Sequence, residues 1–289
     1  MARLFTFGCS FTNYSWPTWA DFFGLEFDHF ENWGVPGIGN VAIANRVSEC
    51  FIKNNITEDD IVVIQWTGHL RNDYHLFRDN NSRDLSNNWK TMGSMFGYTN
   101  INLYNKKWID NFFDEESYIM LSLNAIHLTM QLVKSTNCKW KMTSMGEFSK
   151  LGTDSPINPL NYKEQPLSSD CNLWDNKKFL PYKKLWDDKN WITPIGTYCW
   201  KDIDLFYTWI SGPKKLKWTD PHPSPESGID WLYNILKPSL ELDNNKLTQQ
   251  QLDWVGKCRE VKSNLSDLSD FGDILPLELK NYDNTYRGY

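Results

Sequence analysis

A short apolar run from Arg3 to Phe7 leads directly into Gly8-Cys9-Ser10-Phe11-Thr12. A hydroxyl at the end of a buried strand has two uses. It can cap the next helix, because Ser and Thr accept hydrogen bonds from the free N–H groups of a first turn. It can also be a nucleophile, provided that a base comes within hydrogen-bond reach and takes its proton. Far along the chain, His222 stands between Pro221 and Pro223. Two prolines make a rigid loop, an unusual setting for a core histidine and a useful one for presenting a base. His69 lies in a Thr-Gly-His turn after another apolar run, whereas His29, His75 and His127 read as structural and Cys9 as a small buried residue.

These residues need elements that bring them together. Arg3–Phe7 reads as a first strand, and Pro17 and Gly24 bracket a short helix. "FDHFENWG" reads as a second strand that closes in the turn "GVPGIGN", with Asn40 as the expected cap of a helix over Val41 to Asn54. In that helix Val41, Ala44, Val47 and Phe51 recur at helical spacing. Ile61-Val62-Val63-Ile64 is a continuous apolar run, as in a central strand covered on both faces. "ESYIMLSLNAIHLTMQLVKST" is the clearest helix, "CKWKMTSMG" reads as a further strand, and a last core helix starts near Glu226. Alternating strands and helices predict an α/β fold, a parallel sheet with right-handed crossovers and helices on both faces. Ligands in such sheets sit at the carboxyl ends of the strands, where Ser10, the Gly34 to Gly39 turn and the Thr67-Gly68-His69 turn converge.

Two stretches interrupt this pattern, a polar, Asn-rich one over about 71–116 and a Pro-, Asn- and Trp-rich one over about 149–213. The organisation expected is an α/β domain over 1–245 with these irregular insertions, followed by a helix and extended tail over 246–289. Leu252, Val255, Ile274, Leu275 and Leu277 of that tail could cover the core, a second copy or a virion partner. The net charge of −6 argues against nucleic acid, whose phosphates demand a concentrated basic face. No run is long enough to span a membrane and no signal peptide of the usual kind is visible, so a cytoplasmic protein is expected. Six scattered cysteines form no C-x-x-C pair, and "GVPGIGN" lacks the G-x-G-x-x-G spacing of a dinucleotide loop. No metal or cofactor is therefore expected. The fifteen Trp fill cores and interfaces or stack on sugar rings, and their number alone selects neither use.

"FGCSFT", "NWGVPGIGN", "VVIQWTGH" and "DPHPSPESG" resemble, in order, the four spaced blocks of the SGNH/GDSL hydrolase superfamily, over roughly residues 1–240. The wording Gly-Cys-Ser-Phe-Thr and His-Pro-Ser-Pro is similar to divergent members in bacteriophage genomes. The resemblance implies a three-layer, flavodoxin-like fold that hydrolyses acyl esters, with O-acetyl groups on a carbohydrate as one such substrate. It also implies Ser10 as nucleophile, His222 as base, and the Ser10 and Gly37 backbone N–H groups as oxyanion donors. Two blocks depart from the family pattern. Thr67 stands in the place of the third block's Gly and His69 in that of its oxyanion Asn, while Asn72 would serve only if the loop is shifted. The acid's usual place, three residues before the histidine, holds Thr219, and Asp220 lies two before it. Either Asp220 orients the imidazole or His222 works in a dyad with a backbone carbonyl. A degenerate SGNH fold used as a binding or virion protein is the alternative reading.

Overall fold

The computed structural model describes residues 2–69, 71–75, 89–94, 111, 114–149, 172–199, 208–211, 216–220, 222–244 and 247–263. Strand β1 (Leu4–Phe7) leads through the Ser10 turn to helix α1 (Trp19–Gly24), strand β2 (Phe30–Asn32) and helix α2 (Asn40–Asn54). Strand β3 (Ile61–Trp66) follows, then strands β4 (Arg71–His75) and β5 (Trp89–Ser94), helix α3 (Glu115–Lys134) and strand β6 (Lys139–Ser144). The chain continues through 3-10 turns at Leu173–Asp175 and Leu180–Leu185 to a short helix, α4 (Ile195–Cys199). Strands β7 (Thr208–Ser211) and β8 (Leu216–Thr219) form an antiparallel pair before helix α5 (Pro225–Trp231), which runs on through a π turn to Ser239. Helix α6 (Gln249–Ser263) is the last described element.

The main sheet is all parallel in the order β2-β1-β3-β6, the first four positions of a flavodoxin-like sheet. Its topology also assigns the layers. The chain steps one way from β1 to β2, then back past β1 to β3 and on to β6. Right-handed crossovers therefore put α1 on one face and α2 and α3 on the other. The packing agrees, α2 lying against α3 while α1, α4 and α6 gather around α5. Strand β3 is buried along its whole length, as its unbroken apolar run predicts for a strand covered on both faces.

Asn40 departs from its expected role as cap. It is the first helical residue, and its side chain bonds Thr67 through both backbone groups, Nδ2 to the carbonyl at 3.0 Å and Oδ1 to the N–H at 2.9 Å. A buried strand end leaves those two groups without ladder partners, and the Asn amide satisfies both. The cap position belongs to Gly39, whose N–H donates to both carboxylate oxygens of Asp73. The 71–116 stretch, expected to be irregular, contains the antiparallel β4–β5 pair. Helix α6 packs Trp254, Val255 and Cys258 inward, and Gln251 Nε2 donates to the Phe22 carbonyl at 2.8 Å, while Leu252 stays exposed. Ile274, Leu275 and Leu277 lie outside the described residues. No described helix is long and apolar enough to cross a membrane.

At the amino-terminal ends of β1 and β3, opposite the end that carries Ser10, Arg3 holds the buried Asp60 carboxylate through Nε at 2.8 Å and Nη2 at 2.6 Å, and also bonds the Asn54 and Asn55 carbonyls. This one guanidinium ties β1, the end of α2 and the start of β3 together. Removing it strands a carboxylate that is 1 % exposed. Arg3→Met is expected to cost about 3 kcal/mol, the low end for breaking a buried pair because the Arg3 side is partly solvated. A lower urea midpoint with an unchanged m-value is the expected readout. An unchanged midpoint would show that the pair contributes nothing.

Candidate active site

The turn after β1 begins at a glycine because the space for a side chain is taken. A Cβ on Gly8 would lie 2.2 Å from Thr12 Oγ1 and 2.9 Å from Gln65 Oε1. Thr12 and Asn13 fold back to the Cys9 carbonyl through their N–H groups, closing a tight turn with Ser10 inside it. The same turn is stitched to the segment after β2. Asn32 Nδ2 donates to the Thr12 carbonyl, Asn13 Nδ2 to the Gly34 carbonyl, and the Val35 N–H to the Gly8 carbonyl. Gly37 follows with φ 80°, a left-handed conformation that favours glycine. Among the described residues, neither the Ser10 nor the Gly37 backbone N–H has a hydrogen-bond partner.

His222 arrives from the other end of the chain. The segment "HPSP" both presents the histidine and starts a helix: Ser224 caps α5 by accepting from the Ser227 N–H, and Pro225 takes the first helical position, where its missing N–H costs nothing. Trp16 Nε1 donates to the Pro223 carbonyl at 2.9 Å and clamps this loop to the Ser10 turn. The ring nitrogen Nε2 of His222 lies 2.7 Å from Ser10 Oγ, and Nδ1 lies at 2.5 Å from Asp220 Oδ1.

The Asp220 geometry explains how an acid two residues before the histidine can serve. Its Oδ1 also accepts the His222 backbone N–H at 2.9 Å, so the side chain folds back over the residue two places on, as aspartate commonly does in turns. That fold-back carries the carboxylate to the ring. Because a carboxylate only accepts, Nδ1 carries the proton and Nε2 is left as the acceptor facing the Ser10 hydroxyl. Asp220 Oδ2 accepts from the Tyr14 hydroxyl at 2.7 Å. Burial works to raise the Asp220 carboxyl, but the hydrogen bonds and charge of His222 and the Tyr14 hydroxyl outweigh it and hold the group below its ordinary range. Burial, reinforced by the Asp220 charge, pushes the Tyr14 phenol up, so it stays a donor. Tyr14 also stacks on the His222 ring, with centroids 3.8 Å apart and planes 20° apart. Neither Tyr14 nor Trp16 is marked in the sequence, where an aromatic residue near a turn looks like any other core aromatic.

The remaining candidates sit around this cluster. Register aligns Phe7 with Ile64, so the Ser10 turn and the segment of Thr67 leave adjacent parallel strands at the same end of the sheet. His69, just beyond, is buried but makes no hydrogen bond to Ser10 or His222. Its Nε2 faces Glu115 Oε1 at 3.7 Å, and among the described residues neither atom has a hydrogen-bond partner. Asn72 lies within β4, and its side chain lies outside what is described; Thr219 ends β8 and its side chain likewise. Beside Asn72, Asp73 holds the Gly39 N–H while Arg71 Nη1 donates to the Ile38 carbonyl at 3.1 Å. The two residues brace the turn that carries Gly37. Burial pushes the Asp73 carboxyl up to about 6 against the backbone N–H bonds of Gly39 and Ala42 and the Arg71 charge.

Fold and site together define a flavodoxin-like α/β protein that carries a serine–histidine–aspartate chain at the carboxyl edge of its sheet. No family model matches the chain, and no curated protein matches it. Among solved structures, one described as a "putative acylhydrolase" from Bacteroides fragilis is similar at 17% identity, with 83% of this chain and 86% of that one covered and a TM-score of 0.40. A GDSL-like lipase from Bacteroides thetaiotaomicron is similar at 16% identity, with 83% and 87% covered and a TM-score of 0.40.

Proposed function

We propose that this protein is a serine esterase of the SGNH type that hydrolyses short acyl esters. The observation that supports this reading is the continuous hydrogen-bonded chain from Ser10 through His222 to Asp220. Ser10 Oγ attacks the acyl carbon while His222 Nε2 takes its proton. Collapse of the tetrahedral intermediate breaks the ester C–O bond, and His222 returns that proton to the leaving alcohol. A water molecule then attacks the acyl-serine with His222 again as base, releasing the carboxylic acid and restoring Ser10. The unused N–H groups of Ser10 and Gly37 are the proposed donors to the oxyanion, where preorganised donors act most strongly.

A short acyl group suits the packing beside Ser10. The space beside Ser10 bounded by Phe11, Thr18, Trp19, Ile195, Pro223 and Gly228 leaves no room for a water molecule, so on this side a long acyl chain has nowhere to lie. For the alcohol half we propose a carbohydrate. Phe148 lies across from His69 at 6.1 Å between ring centroids, and half-buried Trp186, itself stacked on Trp191, and half-buried Trp174 continue the aromatic run. Flat indole faces suit sugar rings.

The test is intact-mass analysis after incubation with a fluorophosphonate probe, comparing wild type with Ser10→Ala. One adduct is expected, mapping to Ser10 and absent from the variant. Hydrolysis of nitrophenyl esters is expected to fall as the acyl chain lengthens from acetyl to octanoyl. Folded wild-type protein that takes no adduct would overturn the esterase reading in favour of a binding protein.

A further inference from the structure

We propose that Tyr14 is a positioning residue that tunes the base: its hydroxyl restrains the pull of Asp220 on His222, while its ring face supports the protonated imidazole. This deepens the esterase reading and rests on it for its catalytic meaning, although the effect on the ring is independent of turnover. The geometry is specific. The hydroxyl donates to the carboxylate oxygen that His222 does not use, at 2.7 Å, and the ring lies parallel to the imidazole at 3.8 Å. Phe11 closes on the imidazole at 5.2 Å with a 54° tilt. Among the described residues, the imidazole meets Ser10, Phe11 and Tyr14 from the turn after β1 and Asp220 from its own loop. Asp220 and Tyr14 are thus the ionisable side chains that face it.

The two contacts act in opposite senses. A donor on Oδ2 draws negative charge away from the carboxylate, which weakens its hold on a protonated ring. A stacked aromatic face attracts a cation and strengthens that hold. Before Ser10 gives up its proton the ring must be neutral, and afterwards it must carry the charge. Tyr14 therefore touches both states through separate atoms.

The experiment is a histidine NMR titration of the full chain, following the His222 ring in wild type, Tyr14→Phe and Tyr14→Leu, each also in the Asp220→Asn background. Loss of the hydroxyl alone is expected to move the midpoint up by about half a pH unit, and loss of the face as well to bring it about half a unit below the Phe variant. In the Asp220→Asn background the Tyr14→Phe shift should vanish, because it is transmitted by the carboxylate. A Tyr14→Phe midpoint equal to wild type, a Leu variant that coincides with Phe, or a Phe shift that survives Asp220→Asn would each overturn the proposal. Tyr14→Phe keeps the shape of the side chain, so its two measurements stand even if the Leu variant fails to fold. Wild type that titrates as described yet takes no fluorophosphonate adduct would sink the esterase reading and leave the role of Tyr14 in setting the ring intact.

Discussion

Replacing His222 by Ala is expected to slow both fluorophosphonate labelling and ester hydrolysis by about 10⁴- to 10⁶-fold, the range seen when the base of a serine–histidine pair is lost. The physical ground is the state of the Ser10 hydroxyl. An alcohol is barely ionised at neutral pH, and here one acceptor, His222 Nε2 at 2.7 Å, is placed to receive its proton. The loop should survive the change, since Trp16 Nε1 holds the Pro223 carbonyl and the Ser224 cap secures α5 without help from the ring. A thermal midpoint near that of wild type, together with lost labelling, is the expected pair of results. Labelling within tenfold of wild type would place the base elsewhere.

The second large effect is expected from Asp220→Ala, at about 10³- to 10⁴-fold in rate. Without the carboxylate, Nδ1 loses its acceptor, the tautomer that leaves Nε2 free is no longer enforced, and the imidazolium formed during attack has no counter-charge. Asp220→Asn is expected to cost about as much, because an amide gives the imidazolium no counter-charge and its nitrogen can turn to Nδ1 and enforce the wrong tautomer. The same residue predicts a dependence of stability on pH. The carboxyl is held below its unfolded value by His222 and Tyr14 against the cost of burial. The folded state therefore binds this proton less readily than the unfolded chain, and the contribution to stability is fully present above the ordinary carboxylate range, about pH 4, and lost as pH falls through the lowered value. Urea melts of wild type and Asp220→Asn, compared from about pH 5 downward, should converge as pH falls through the lowered carboxyl value. A gap that widens over that acid range would reverse the sign and refute the assignment.

The order of the strands and helices of the main sheet and the strand ends that carry the site were legible in the chain itself, whereas the β4–β5 pair, α4 and β7 lie in stretches that read as irregular. Unbroken apolar runs such as Ile61–Ile64 mark strands covered on both faces, and the alternation with helical spacing leaves little topology to choose from once crossovers are right-handed. This is local information, because burial of a face is written into the spacing of neighbouring residues. It placed Ser10, the Gly37 turn and His69 at the ends of their strands before any contact was known.

What surrounds Ser10 at atomic distance was decided by the tertiary structure. The choice between Asp220 and a backbone carbonyl as partner of His222 depends on a side chain folding back over its own turn, which spacing along the chain does not encode. Asn40 read as a cap because its type suits one. Yet the unpaired backbone of Thr67 offered it two hydrogen bonds, and Asp73 from β4 took over the helix start. His69 turns its Nε2 towards Glu115, a residue of α3 that only packing brings near. Tyr14 gains its place from a residue more than two hundred positions away, on the far side of the fold's long connection. Each of these contacts joins segments whose separation is closed by the sheet, so their partners are set by register and loop path, and periodicity carries no record of either.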